Sequence, residues 1–263
     1  MKMDTRLENK VAIVTGASRG IGKAVAETMA QEGARLVLVA RDAEALRAVA
    51  RGIQDRGGLT PLTLVEDLKL PEAAARVVEE VVGKLGSIEI LVNNAGATAR
   101  GDFLELTDEQ ALDGFALKFH ASVRLCRLCW PHLVTSAGAI CNVIGVSSRT
   151  PTADFTIGGP VNSALLNFTK ALADRGISEG VRVNAVNPGH IVTDRLRRRV
   201  ETYSLEKGMT TEEAQEALCV EHGIWRFGSA EEVAQVIAFM CSPAGAYING
   251  ATVDVDGGAS RGI

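Results

Sequence analysis

Seven short apolar runs recur along the chain, at 11–14, 36–39, 62–65, 88–92, 140–146, 182–186 and 252–255, with longer segments of helical periodicity between them. Each run is continuous rather than alternating. A strand with one face in water alternates apolar and polar positions, so unbroken runs predict strands covered on both faces, as in a parallel sheet. The helical segments carry their own punctuation. One runs over 21–32 and stops at Gly33, and one opens with Pro71 and ends before Gly86. Thr107 with Gln110 and Ser229 with Glu232 have the spacing of capping boxes, which predicts two further helix starts.

Strand and helix alternating to the end predict right-handed crossovers and an α/β doubly wound, open parallel sheet. No linker, repeat or low-complexity tract interrupts the pattern, so 1–263 reads as one domain. The exception is a polar helical insertion near 194–224, with Arg195, Arg197, Arg198 and Arg199, which reads as a lid over a substrate cleft.

Composition narrows the function classes. Basic residues number 28 against 32 acidic ones, a net charge of −4, so no broad positive field is available to hold nucleic acid. Nowhere do about 18 apolar residues run together, and the first ten positions mix charges, so neither a membrane span nor a secretion signal is expected. Five scattered cysteines predict reduced thiols in a cytoplasm rather than a disulfide framework. Cys126 and Cys129 lie in an apolar helical stretch without other ligands at metal spacing, so they read as core and no metal site is expected.

The candidate chemistry begins with Thr15-Gly16-Ala17-Ser18-Arg19-Gly20-Ile21-Gly22, which follows the first strand and opens the first helix. Free N–H groups and the positive end of the helix dipole at such a corner can hold a pyrophosphate, and Gly16, Gly20 and Gly22 let the backbone turn and approach. Asn93-Asn94-Ala95-Gly96 follows the fourth strand, and Asn187-Pro188-Gly189 the sixth. Arg226-Phe227-Gly228-Ser229 and Val255-Asp256-Gly257-Gly258 come near the end. Together these segments resemble the short-chain dehydrogenase/reductase family over roughly 7–260.

The resemblance implies a Rossmann-like fold and a small-molecule substrate. It also implies a homo-dimer or homo-tetramer built on helices near 107–133 and 158–179. It places Ser18, Arg19 and Ile21 on cofactor phosphates, Asp67 and Leu68 beside the adenine, Asn94, Ala95 and Gly96 along the ribose, and Pro188, Gly189, Ile191 and Thr193 beside the nicotinamide. At the end of the second strand, where a carboxylate would accept a ribose 2′-hydroxyl, stand Ala40 and Arg41. Arg41, with Arg19 as a second guanidinium, favours NADP(H) while leaving NAD(H) open. The alternative is that Arg41 pairs with Asp42 or Glu44 and discriminates neither cofactor.

The same resemblance implies a catalytic Tyr, a Lys four residues on, a Ser that binds the substrate oxygen, and an Asn on the preceding helix. Here the Ser position falls on Gly145, the Tyr position on Gly158, the Lys position on Asn162, and the Asn position on Lys118. Tyr203 does stand four before Lys207, but within the polar insertion, where a surface helix explains it. Lys118, among the apolar Phe115, Leu117 and Phe119, is the candidate catalytic group, because an amine in a dry cleft can be tuned to donate a proton near neutrality. A solvated lysine, or an ion pair with Asp113 or Asp154, is the competing reading. Ser147, Ser148, Asp154, His120 and His190 are weaker candidates, each with an ordinary structural role available. The arginine run could draw an anionic substrate or simply solvate a helix face.

Two functions therefore remain. One is an NADP(H)-dependent oxidoreductase acting on a carbonyl, alcohol or enoyl substrate. The other is a catalytically inactive nucleotide-binding protein, a sensor or assembly subunit. A roomier pocket at Gly145 and Gly158 for a ligand unrelated to hydride transfer is also open.

Overall fold

Burial explains why the apolar runs do not alternate. In the first strand, Val11, Ala12, Ile13 and Val14 are all fully buried. Ala12 and Val14 enter one core, and Val11 and Ile13 enter a second on the opposite face. A sheet sandwiched between helix layers is the arrangement that demands this.

The computed structural model describes residues 5–262. Its elements run β1 (Val11–Thr15), α1 (Gly20–Gln31), β2 (Arg35–Ala40), α2 (Ala43–Asp55), β3 (Leu62–Val65), α3 (Ala73–Leu85), β4 (Ile90–Asn93), α4 (Asp108–Gly114), α5 (Ala121–Ser136), β5 (Ala139–Val143), α6 (Gly158–Glu179), β6 (Arg182–Pro188), α7 (Asp194–Lys207), α8 (Thr211–His222), α9 (Ala230–Cys241) and β7 (Thr252–Val255). All seven strands are parallel, in the order β3-β2-β1-β4-β5-β6-β7. The order reverses between β1 and β4, and in an open α/β sheet the crevice at the carboxyl ends of such a pair is where ligands bind.

Several boundaries differ from the sequence expectation for identifiable reasons. The third helix starts at Ala73 rather than Pro71, because Pro71 and Glu72 complete a turn in which the Ala73 N–H donates to Leu70 O at 3.2 Å. The run at 140–146 ends as a strand at Val143, and the chain then turns at Gly145, whose φ of +140° suits glycine. The insertion is two helices with a small core of their own, including Leu196, Val200, Leu218 and Phe227. Its second helix opens with a capping box of Thr210 and Glu213 that the sequence reading passed over, while the boxes at Thr107 and Ser229 form as expected.

Among the described residues no helix is long and apolar enough to cross a membrane, and no group of three or more His, Cys, Asp or Glu side chains could hold a metal ion. The five cysteines are free and buried.

One side chain ties β6 to the helix layer. The Arg182 guanidinium donates to four carbonyls at and beyond the end of α9, those of Met240 (2.6 Å), Gly245 (3.1 Å), Cys241 (3.2 Å) and Ser242 (3.2 Å). It satisfies carbonyls that a helix end leaves open and opposes the negative end of the dipole. Arg182→Met should therefore destabilise the protein by about 2–3 kcal/mol, read as a lower urea midpoint at unchanged m-value.

Candidate active site

The glycine corner is shaped by an approach that no side chain would allow. A Cβ on Gly22 would lie 2.3 Å from Gly16 O and 2.4 Å from the Asn94 amide nitrogen, and one on Gly16 would lie 2.8 Å from that nitrogen. Asn94 donates through Nδ2 to Thr15 O at 2.9 Å and Gly16 O at 3.3 Å. The Thr15 hydroxyl accepts from the backbone N–H groups of Asn94 (2.9 Å) and Ala95 (3.0 Å). The first turn of α1 is thus pinned across the β1–β4 crevice. Arg19 precedes α1 in extended conformation without a side-chain cap, so the N–H groups of that turn remain available to an anion.

The β6 end closes the same corner. A Cβ on Gly20 would sit 3.3 Å from the Thr193 methyl, and one on Gly189 would strike Asp256 Cβ at 2.7 Å. Ile191 is buried and bridges to Gly228. Ser18, Ala95 and Gly96 lie on these same loops, Ile21 lies in the first turn of α1 and Pro188 ends β6, and Leu68 is buried beside Asp67. Arg41 does not pair with Asp42 or Glu44. Its guanidinium stands 3.9 Å from Asp67 across the β2 and β3 ends, while Asp42 caps α2 by accepting from Ala45 N–H at 3.0 Å. An exposed pair at that separation is weak and leaves the guanidinium free to turn to a phosphate.

Lys118 sits at the β4–β5 end of the crevice. It belongs to a π-helical stretch, Phe115–His120, joining α4 to α5, and such wide turns often mark functional sites. Its stem packs on Gly96, where a Cβ would lie 3.0 Å from Lys118 Cδ, and its ammonium donates to Ile144 O just before the Gly145 turn. Neither proposed ion pair forms: Asp113 is engaged by Lys69 at 3.1 Å and Asp154 by Arg100. Burial, reinforced by the charge of Arg195, lowers the Lys118 amine to about 7.

Around it the sequence candidates are already committed. Asn162 donates through Nδ2 to Ser147 Oγ at 2.7 Å, and its Oδ1 is buried without a partner. Asn187 Oδ1 accepts from the Gly145 N–H (3.2 Å) and the Ser148 hydroxyl (3.3 Å). The space beside Gly158 is filled by the Phe155 ring, 2.0 Å from where a Cβ would stand. Tyr203 lies on α7 with its hydroxyl toward Glu221 at 3.4 Å and the Lys207 ammonium 5.9 Å from its ring, a surface pair. The other tyrosine, Tyr247, is fully exposed. His120 is exposed against the Phe119 ring. His190 stands at the mouth with His222, Arg199 and Arg100, three residues that the sequence reading did not connect with it.

Residues 16–260 match a family model described as enoyl-(acyl carrier protein) reductase. The chain is 34% identical over 253 residues to the 3-oxoacyl-(acyl-carrier-protein) reductase of Pseudomonas aeruginosa, covering 96% of this chain and 98% of that protein. The chain belongs to the short-chain dehydrogenase/reductase family. Among solved structures of similar proteins is L-sorbose reductase from Gluconobacter frateurii complexed with NADPH and L-sorbose, with a TM-score of 0.95, 35% identity, and coverage of 99% of this chain and 100% of that one. Another is a short-chain dehydrogenase from Burkholderia cenocepacia in complex with NADP, at a TM-score of 0.85 and 30% identity over 97% and 99% of the two chains. The seven-stranded order and the glycine corner are those of the family fold expected from the sequence.

The state of Lys118 is open to direct measurement. Its amine holds a proton in the unfolded chain up to an ordinary lysine pKa but loses it near 7 when folded. Between those values the unfolded state binds more protons, so this group adds stability as pH rises from 7 toward 10. Stability of the parent relative to Lys118→Met should therefore rise by up to about 1.4 kcal/mol per pH unit over that window. Denaturant titrations of both proteins at several pH values check it.

Proposed function

We propose that this chain is an NADP(H)-dependent oxidoreductase that reduces a carbonyl or enoyl group, or runs the reverse alcohol oxidation, with Lys118 as the proton-transfer group. One observation carries this reading: a half-buried amine, lowered to about 7, stands beside Gly96 at the β4–β5 end of a nucleotide crevice. The cradle suits a dinucleotide, because close packing at Gly16 and Gly22 fixes the corner while the first turn of α1, without a side-chain cap, is open to a pyrophosphate. The similar reductase and dehydrogenase structures that hold NADPH or NADP support the phosphorylated cofactor, as does Arg41 where a carboxylate would repel it.

When bound, NADPH supplies a hydride to the electrophilic carbon. The Lys118 ammonium donates to the oxygen of that carbonyl, or to the enolate an enoyl substrate forms, and so balances the hydride with a proton. Its hydrogen bond to Ile144 O fixes one N–H and leaves two to face the substrate. The neutral amine then takes a proton from water. In the oxidative direction the neutral amine accepts the alcohol proton. On this reading Gly158 and Asn162 stand where the family's Tyr and Lys would be, and the amine has taken over from a different helix.

The second reading, a nucleotide-binding protein without turnover, draws on the Phe155 ring, which occupies the space beside Gly158 and offers no hydroxyl. Association through α5 and α6 belongs to either reading, since Leu128, Val134 and Ile177 are exposed on those helices. Light scattering of the pure protein reads it.

NADPH oxidation across a panel of ketones and enones separates the two readings. Lys118→Met should lower kcat by about 100-fold or more while NADPH still binds. In the parent, kcat/KM for reduction should be level below about pH 7 and fall tenfold per unit above it, because the proton donor is the charged form. Saturable NADPH binding with no turnover on any member of the panel favours the second reading. Arg41→Ala should weaken NADPH by about tenfold and leave NADH nearly unchanged, as titration calorimetry reads it.

A further inference from the structure

We infer that Asn187 and Asp254 are positioning residues for Lys118: through one aligned run of hydrogen bonds they hold the Ile144–Gly145 peptide as the acceptor of its ammonium. This rests on the oxidoreductase reading for the use of that proton, and it gives that site two further residues.

The run begins on β7. Asn187 and Asp254 are register partners on β6 and β7, so their side chains leave the sheet on the same face, and Asn187 Nδ2 donates to Asp254 Oδ1 at 2.8 Å. The other end of that amide, Oδ1, accepts the Gly145 N–H at 3.2 Å. A backbone N–H only donates, so this contact fixes which end of the amide is oxygen. The Gly145 N–H and the Ile144 carbonyl belong to one trans peptide and point to opposite sides of it. On the far side, Ile144 O accepts from the Lys118 ammonium. From Lys118 to Asp254 every group therefore donates in the same direction: ammonium to carbonyl, peptide N–H to amide oxygen, amide N–H to carboxylate.

The surroundings brace this run. Asn187 is fully buried, and an amide is tolerated there only with partners. Strand β5 ends at Val143, and although the Ile144 N–H still reaches Val186 O at 2.9 Å, the next N–H goes to the Asn187 side chain. The Ser148 hydroxyl donates to the same Asn187 oxygen at 3.3 Å, and Arg149 holds the second oxygen of Asp254 at 3.2 Å. Turn and carboxylate are thus fixed at both ends.

The other forces on Lys118 act against its proton. Burial comes first, and then the charge of Arg195 on α7. Asp113 on α4 pairs with Lys69, Asp154 on the β5 loop pairs with Arg100, and His120 beside it is exposed. The β4 loop presents Gly96, and α6 meets the π-helical stretch through the uncharged Leu165 and Phe168 packed on Phe119. Among the described residues Lys118 forms no ion pair, so its hydrogen bond to Ile144 O is the contact that favours the charged form. A carboxylate at the acceptor end of an aligned run strengthens each bond in it. Asp254 therefore helps to keep on Lys118 the proton that reduction consumes.

Isotope-edited NMR of the lysine side chains in the cofactor-free protein reads this amine directly, with Lys118→Met assigning its signal. Asp254→Asn keeps the hydrogen bond and removes the charge, and should lower the titration midpoint by about half a pH unit. Asn187→Leu keeps the carboxylate and breaks the run, so it should lower the midpoint similarly, with the double variant no lower than either alone. Exchanging the two residues, Asn187→Asp with Asp254→Asn, keeps the run and brings the charge one amide nearer, so the midpoint should rise above that of the parent. Arg149→Gln removes only the outer ion pair and should not lower it. If the leucine variant does not fold, Asp254→Asn and the exchange decide. A midpoint that stays within about 0.2 units in Asp254→Asn would overturn the assignment. So would an exchange variant that titrates no higher than the parent, or lowering that adds up in the double variant, the mark of two independent effects. In turnover, the alkaline fall of kcat/KM for reduction should move with the midpoint. If no substrate is turned over while the midpoint moves as expected, the oxidoreductase reading fails and the positioning of Lys118 stands.

Discussion

Everything at the site depends on one close approach, the packing of the first turn of α1 against the carboxyl end of β4 through Gly16, Gly22 and the Asn94 amide. With a Cβ at Gly22 only 2.3 Å from Gly16 O, the turn would have to open, and Asn94 would lose the carbonyls of Thr15 and Gly16 that it bridges. The same contact sets where Ala95 and Gly96 emerge, and therefore where the Lys118 stem finds its seat. Cradle and amine are two ends of one backbone construction.

The energetic character of the two ends differs. The cradle is satisfied: its amide, hydroxyl and backbone groups have partners or face solvent, as buried polar groups normally do. The mouth is not. It holds an amine drawn down to about 7, an Asn162 carbonyl and a His190 nitrogen without partners, and several guanidinium groups in mutual repulsion. Unfavourable terms of this kind concentrate where a protein meets a charged or reacting ligand rather than in its scaffold. The mouth is also where the insertion contributes, since Arg199 and His222 arrive on α7 and α8, whose small core of Leu196, Val200 and Leu218 holds the pair in place.

What was legible in the sequence follows the range of the physics involved. Unbroken runs such as 11–14 and 36–39 report local burial on two faces, and a glycine corner between strand and helix reports a local turn, so fold and cradle can be read residue by residue. Lys118 could be singled out by its apolar neighbours, but its contact with Ile144 O spans 26 positions and its π-helical turn has no compositional mark. Arg41 could be placed at the end of β2, yet its partner is Asp67, just beyond the end of β3, rather than the adjacent Asp42. The stack of His190 on His222 joins residues 32 positions apart, across a two-helix insertion that the sequence shows only as polar and helical. The capping signal at Thr210 with Glu213 was the available clue that this insertion breaks into two helices.

On the proposed reading, the departures from the family pattern are coupled to one another. Gly158 makes room for the Phe155 ring, the ring supports the Arg100 guanidinium, and Arg100 pairs with Asp154. Gly145 turns at φ +140°, a conformation that strains other residues, and a Cβ there would press on the Asn162 amide at 3.1 Å. A tyrosine at 158 would displace Phe155, and a serine at 145 would meet both backbone strain and Asn162, so restoring either of these family residues disturbs its neighbours before it adds chemistry. On that reading their mutual fit leaves the proton chemistry to Lys118 rather than to the family's own positions.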